Sequence, residues 1–127
     1  MTPPSLPLCA ILAAALSLCA CVADPFSADA PKVVRGQPLP PYKVHEECLR
    51  LEPGDRVDFT FDSTEPVDFN LHYHEGKTVV MPLVREKTRG DAAVFAPQVA
   101  QDYCLMWETG PAGAMIDYSV RLRRAAS

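Results

Sequence analysis

The stretch VDFNLHYHEG, Val67 to Gly76, alternates apolar and polar residues until it reaches a glycine. Val67, Phe69, Leu71 and Tyr73 fall on one side of an extended chain, and Asp68, Asn70, His72 and His74 on the other. Such a period of two describes a β-strand with one face buried and one face wet. On this reading His72 and His74 belong to the solvent face.

The same period runs through the rest of the chain from His45 onward. Val57, Phe59 and Phe61 alternate with Asp58, Thr60 and Asp62; Tyr103, Leu105 and Trp107 with Cys104, Met106 and Glu108; Ile116, Tyr118, Val120 and Leu122 with Asp117, Ser119, Arg121 and Arg123. Thr78–Val84 and Ala92–Ala96 supply two less regular strands, the first interrupted by Pro82, which suits an edge or a bulge. Turn residues separate these runs. EPGD, Glu52 to Asp55, offers Pro-Gly in the central positions of a type II turn, and DSTEP, HEGK, KTRGD and ETGPAG follow. VREKTRGD, Val84 to Asp91, reads as a charged hairpin tip. No window carries a helical period. About seven short strands spaced in this way predict an all-β, antiparallel β-sandwich over residues 44–124.

The segment before it has another character. Eight of the 13 prolines lie within the first 41 residues. Residues 21–43 show no sustained period and contain Pro25, Pro31, Pro38, Pro40 and Pro41, which predicts a semi-rigid, polyproline-like linker. Residues 1–20 contain no charged side chain, and Leu8–Ala20 is apolar but too short to span a bilayer. It reads as the core of a secretory signal. LCAC, Leu18 to Cys21, resembles the lipobox of bacterial lipoproteins, which implies cleavage before Cys21 and acylation of that cysteine. Val22 stands where some bacteria place an inner-membrane retention aspartate, so an outer-membrane address is favoured. Cleavage leaves Cys48 and Cys104 as an even pair. In the oxidising space outside the inner membrane such a pair is expected to form a disulfide, stabilising by roughly 4 kcal/mol on the chain-entropy model.

The order of a cysteine in the first strand, then PGDRVDFTF, PVDFNLHYHEGKTV, VFAPQVAQDYCLMWET and AMIDYSVRL, resembles the GOLD domain, a β-sandwich of eukaryotic cargo receptors and some lipid-transfer proteins. The likeness covers Glu46 to Leu122. It implies a Cys48–Cys104 bridge, core positions Phe59, Phe69, Leu71, Tyr103 and Tyr118, and a domain that binds proteins or lipids and is not an enzyme. Two departures limit it: Cys104 directly follows Tyr103, and the sequence shows no coiled coil or transmembrane helix after the domain.

Chemistry is sparse beside this. The net charge of -4 argues against a nucleic-acid partner. There is no nucleophile elbow, phosphate-cradling loop or His-Glu-x-x-His, so neither catalysis nor a cofactor is expected. A copper site of the cupredoxin kind lacks its histidine after Cys104. The remaining metal candidates are His72 and His74, with His45 or Asp68 to complete the set. The sequence therefore predicts a lipid-anchored envelope module, facing the periplasm, that binds another envelope protein; the alternative is a small periplasmic metal-binding protein using His72 and His74. Cys21→Ser should release the protein from the membrane fraction and remove the acyl mass, and a variant that keeps both would refute the lipobox reading.

Overall fold

A computed structural model describes residues 30–126; Cys21, the signal segment and the first part of the expected linker lie outside them. Among the described residues there are six strands and no helix: β1 (Lys32–Leu39), β2 (Val44–Leu51), β3 (Arg56–Glu75), β4 (Thr78–Phe95), β5 (Gln101–Thr109) and β6 (Ala114–Arg123). Every pairing between them is antiparallel, as the sequence predicts.

Two strands are far longer than the expected short ones. β3 has 20 residues and β4 has 18, and they form one hairpin that turns at Gly76, where φ is 59°. Over Arg56–Ser63 β3 pairs with β6, and over Val67–His72 it pairs with β5. The change of partner falls at Thr64–Pro66. Pro66 has no N–H to give the ladder, the Ser63 hydroxyl turns back to the Glu65 carbonyl at 2.6 Å, and the register against β4 shifts between Asp62 and Val67. The strand order β1-β6-β3-β5-β2 therefore folds at β3 into two layers, with β4 following β3 through both.

The inward residues of both layers make the core. Phe59 and Phe61 from the first half of β3 meet Phe69 from its second half, with ring centroids 5.1 and 4.7 Å apart. Trp107 of β5 lies 5.3 Å from Phe69 and 4.7 Å from Tyr118 of β6. The expected core positions Phe59, Phe69, Leu71, Tyr103 and Tyr118 are all buried. EPGD forms the expected turn: Gly54 has φ 99° and the Asp55 N–H donates to the Glu52 carbonyl at 3.0 Å.

Three expectations need correction. The linker does not extend to residue 43, because Lys32–Leu39 is an edge strand paired with β6. A bulge between Val34 and Gln37, at Gly36 with φ 64°, slips its alternation by one residue and so hides the period. Pro38 is tolerated because β1 is an edge. Thr78–Val84 and Ala92–Ala96 are two ends of one strand, and Val84–Asp91 is its middle rather than a hairpin tip. The strand count is accordingly six and not seven.

Asp55 ties the far end of the sandwich together. Its buried carboxylate accepts the N–H groups of Glu52 and Ala125, both at 2.9 Å, and the Arg124 guanidinium at 3.0 Å. Burial alone would raise its pKa; the two backbone donors and then Arg124 outweigh it and hold the carboxyl below the ordinary aspartate range. With the folded value lowered, the stabilisation is complete above the unfolded pKa near 3.9 and is lost as pH falls through the folded value. Acid titration of stability should therefore show a limb below about pH 4 that flattens in Asp55→Asn; an unchanged limb would remove Asp55 as its source.

Candidate functional site

Three groups of polar residues have enough organisation to be sites, and they lie in different places. The first is half-buried, at the margin of the two layers. His45, Glu47 and Lys32 meet Tyr118 where the edges of β1 and β2 approach without sharing a backbone ladder. His45 Nε2 lies 2.8 Å from the Tyr118 hydroxyl, that hydroxyl donates to Glu47 Oε1, and Lys32 Nζ reaches the same oxygen at 2.6 Å. Burial raises the Glu47 pKa, but the hydrogen bonds from Lys32 and Tyr118 overcome it and leave the carboxyl below its ordinary value. Burial, and then the Glu47 carboxylate, push the Tyr118 phenol well above its ordinary range. The network is satisfied and joins the two layers. His45 consequently points away from His72 and His74, on the opposite face of β2 from Glu46. The expectation that it might share a metal with them fails on geometry.

The second group is on the outer face of the layer formed by β2, β5 and the second half of β3. Cys48 and Cys104 lie directly opposite in the β2–β5 ladder and are joined in a disulfide, with Cα atoms 4.0 Å apart. His72 lies opposite Cys104 on the other side of β5. His72 and His74 do share a face, with ring centroids 5.2 Å apart and nearly perpendicular planes. They do not share an environment. His74 is exposed, whereas His72 is only 4% exposed, against the expectation that both are wet. His72 Nδ1 lies 2.8 Å from Asn70 Oδ1, and Nε2 lies 3.6 Å from Glu46 Oε1 on β2. Burial lowers the His72 pKa; Glu46 opposes that and His74 adds to it, so the ring is held neutral over a wider pH range. Asp68 is on the same face but is engaged elsewhere, its Oδ1 accepting the Lys87 N–H at 2.8 Å.

The third group was not visible in the sequence. At the end of the sandwich nearest Pro66, a cleft of about 500 Å³ opens between the β1–β2 turn, the bend of β3 and the β5–β6 loop. Tyr42, Pro66, Asp68, Lys87, Glu108 and Pro111 line it, mostly with apolar surface. Tyr42 and Lys87 are the non-glycine residues with left-handed backbone among the described residues, at φ 55° and 49°, and both line this cleft. Such a conformation costs of order 1 kcal/mol and persists only where the surroundings enforce it. The enforcement is visible. Buried Thr109 accepts the Lys43 N–H at 3.0 Å and donates to the Pro40 carbonyl at 2.6 Å, while the Tyr42 N–H reaches the Gly110 carbonyl at 3.2 Å. Gly113, with φ 66°, passes so close to β1 that a Cβ there would meet the Leu39 carbonyl at 2.7 Å. These bonds leave Tyr42 73% exposed on a fixed loop. Asp68 of β3 and Glu108 of β5, both in the lining of the cleft, stand opposite each other in the ladder, a placement of like charges that is destabilising.

Neither the protein-family models nor the curated proteins contain a match to this chain. Among solved structures the chain is similar to Aeromonas hydrophila PliG, a periplasmic lysozyme inhibitor of g-type lysozyme, with a TM-score of 0.50 at 10% identity over 74% of this chain and 83% of that one. It also matches a de novo designed double-stranded β-helix, with a TM-score of 0.34 at 17% identity over 74% and 96% of the two chains. The first likeness is one of fold.

The two histidines should separate in a stability measurement. His72→Ala strands the buried Asn70 amide and should cost about 1–3 kcal/mol, whereas His74→Ala should stay within about 0.5 kcal/mol. Urea unfolding of both variants checks this, and equal costs would contradict the burial.

Proposed function

We propose that this chain is a cell-envelope protein-docking module, anchored through a lipid on Cys21, that presents the Tyr42 end of its sandwich to a partner protein. The observation that carries the reading is the clustering of left-handed Tyr42 and Lys87 at one cleft, the first held by Thr109 and Gly113 and the second by Asp68. An exposed tyrosine on a rigid loop contributes contact area at low entropic cost, which is what an interface centre needs. Asp68 and Glu108 in the lining of the cleft suit a partner that brings a lysine or arginine side chain beside Tyr42. The Cys48–Cys104 disulfide fits an oxidising compartment. The fold shared with PliG, a periplasmic inhibitor, supports an envelope setting and a protein partner. The GOLD resemblance supports a binding role as well, and nothing in the cleft resembles a catalytic constellation.

Purified g-type lysozyme is the first probe to titrate, because that is the enzyme PliG inhibits. Photo-crosslinking in living cells is the general test. A crosslinker at position 42 or 108 should capture one discrete partner, while one at Arg50, at the other end of the sandwich, should not. Glu108→Lys should abolish the adduct from position 42. Capture that is equal from all three positions, or absent from position 42, would overturn the docking end.

A further inference from the structure

We propose that Cys48, Cys104 and Glu46 form a redox-gated site for Zn²⁺, closed while the cysteines are bridged and opened when a dithiol reduces them. This inference is independent of the docking cleft. The two cysteines stand directly opposite each other in the β2–β5 ladder, with Cα atoms 4.0 Å apart. Glu46 precedes Cys48 by two residues and so shares its outer face of β2. Among the described residues this is the one place where three metal-ligating groups converge. The two sulfurs and a Glu46 carboxylate oxygen all lie within 4.8 Å of one another. The cluster faces solvent, with Glu46 and Cys48 exposed and Cys104 half-buried.

Exposure makes the bridge reachable, and the ladder keeps its two ends in place once it opens. Eight consecutive residue pairs join β2 to β5, from Val44–Glu108 to Leu51–Gln101, so Cys48 and Cys104 stay opposite each other with the bond broken. A dithiol performs the reduction in two exchanges. Its thiolate attacks the exposed Cys48 Sγ, the S–S bond breaks, and Cys104 leaves as a thiolate that takes a proton from solvent. The second thiol of the reductant, deprotonated, then attacks the mixed disulfide at the reductant's own sulfur. Cys48 is released, and the reductant departs as a disulfide. The net transfer to the protein is two electrons and two protons.

The reduced trio suits a thiophilic divalent ion. Zn²⁺ bonds of about 2.3 Å to thiolate and about 2.1 Å to carboxylate set tetrahedral donors about 3.6–3.8 Å apart. Opposite residues of an antiparallel pair keep their Cβ atoms about 4.5–5.5 Å apart, so rotation of the two cysteine side chains brings the sulfurs to that spacing. The Glu46 oxygen is already within reach. Two thiolates beside a carboxylate repel one another, and a divalent ion offsets that while binding displaces the thiol protons to solvent. Ca²⁺ and Mg²⁺ prefer all-oxygen sets and gain little from sulfur. Solvent supplies the fourth ligand on the exposed side. Bridged, the same sulfurs offer no thiolate, which is the gate.

The test compares the purified protein in two states: with the bridge closed, and after dithiothreitol reduction without denaturant, the reductant then being removed under argon. Zn²⁺ alone is titrated into each by calorimetry, with Ca²⁺ and Mg²⁺ as controls. We expect a single saturable Zn²⁺ site with proton release in the reduced protein, none in the bridged protein, and none for the control ions. Co²⁺ added to the reduced protein should give thiolate-to-cobalt charge-transfer absorption. Glu46→Gln should keep that absorption and weaken Zn²⁺ binding at least tenfold, while Cys48→Ser and Cys104→Ser should remove both. Circular dichroism of the reduced protein should retain its β spectrum. Loss of the fold on reduction, absence of a saturable site in the reduced protein, equal Zn²⁺ affinity in both states, or wild-type affinity in Glu46→Gln would overturn the proposal.

Discussion

β3 belongs to both layers, and the rest of the molecule depends on that single fact. Because its first half pairs with β6 and its second half with β5, the bend at Thr64–Pro66 sets the two layers facing each other. A strand whose alternation survives such a bend brings its own inward residues together, which is why Phe59 and Phe61 stack on Phe69 of the same strand. Trp107 then joins that group to Tyr118 in the opposite layer. Few arrangements let so small a domain bury its aromatic residues in one contiguous cluster, and burial of this kind is its dominant stabilising term.

One covalent and one polar fastening complete what the bend begins. On the outside, the Cys48–Cys104 bridge joins strands that are already paired. On the inside, Lys32, Glu47, Tyr118 and His45 close the margin where β1 and β2 approach without a shared ladder. Glu47 is the common acceptor there, and its own burial is tolerable because both Lys32 and Tyr118 donate to it. A hydrophobic margin would close as well but would not fix the relative height of the two edges. Hydrogen bonds to one carboxylate do, since each donor must reach the same oxygen.

The sequence made the layered β fold and the core legible because burial of one face writes a period of two directly into the residue order. It hid β1, because one inserted residue at Gly36 reverses inside and outside halfway along the strand. It hid the length of β3 and β4 for a related reason. DSTEP and VREKTRGD carry turn-forming and charged residues, yet here they mark a bend and a bulge within continuous strands. The site was less legible than the fold. The His72–His74 face could be inferred from spacing, but the burial of His72 depends on Glu46 and Cys104, which reach it only through the pairing of three strands. The cleft draws on segments near residues 42, 66, 87 and 110, so no local window contains it. The Pro-Pro-Tyr and Gly-Pro-Ala-Gly segments were its available signals, but the first read as part of the linker and the second simply as a turn.

The exposed edge of β4 has its own protection against pairing with other chains. Among the described residues β4 pairs with β3 alone, which leaves one side of its 18 residues without a partner strand there, and such an edge invites pairing with other chains. It is defended along its middle. Pro82 interrupts the donor row, Arg85, Glu86, Lys87 and Arg89 place charge along the strand, and the left-handed Lys87 kinks the ladder. The Asp68 carboxylate holds that kink by accepting the Lys87 N–H, so the residue that blunts the edge also shapes the cleft wall. Backbone strain at Lys87 thus has two consequences from one cause: the strand becomes a poor template for aggregation, and the wall of the cleft beside Tyr42 is held in place.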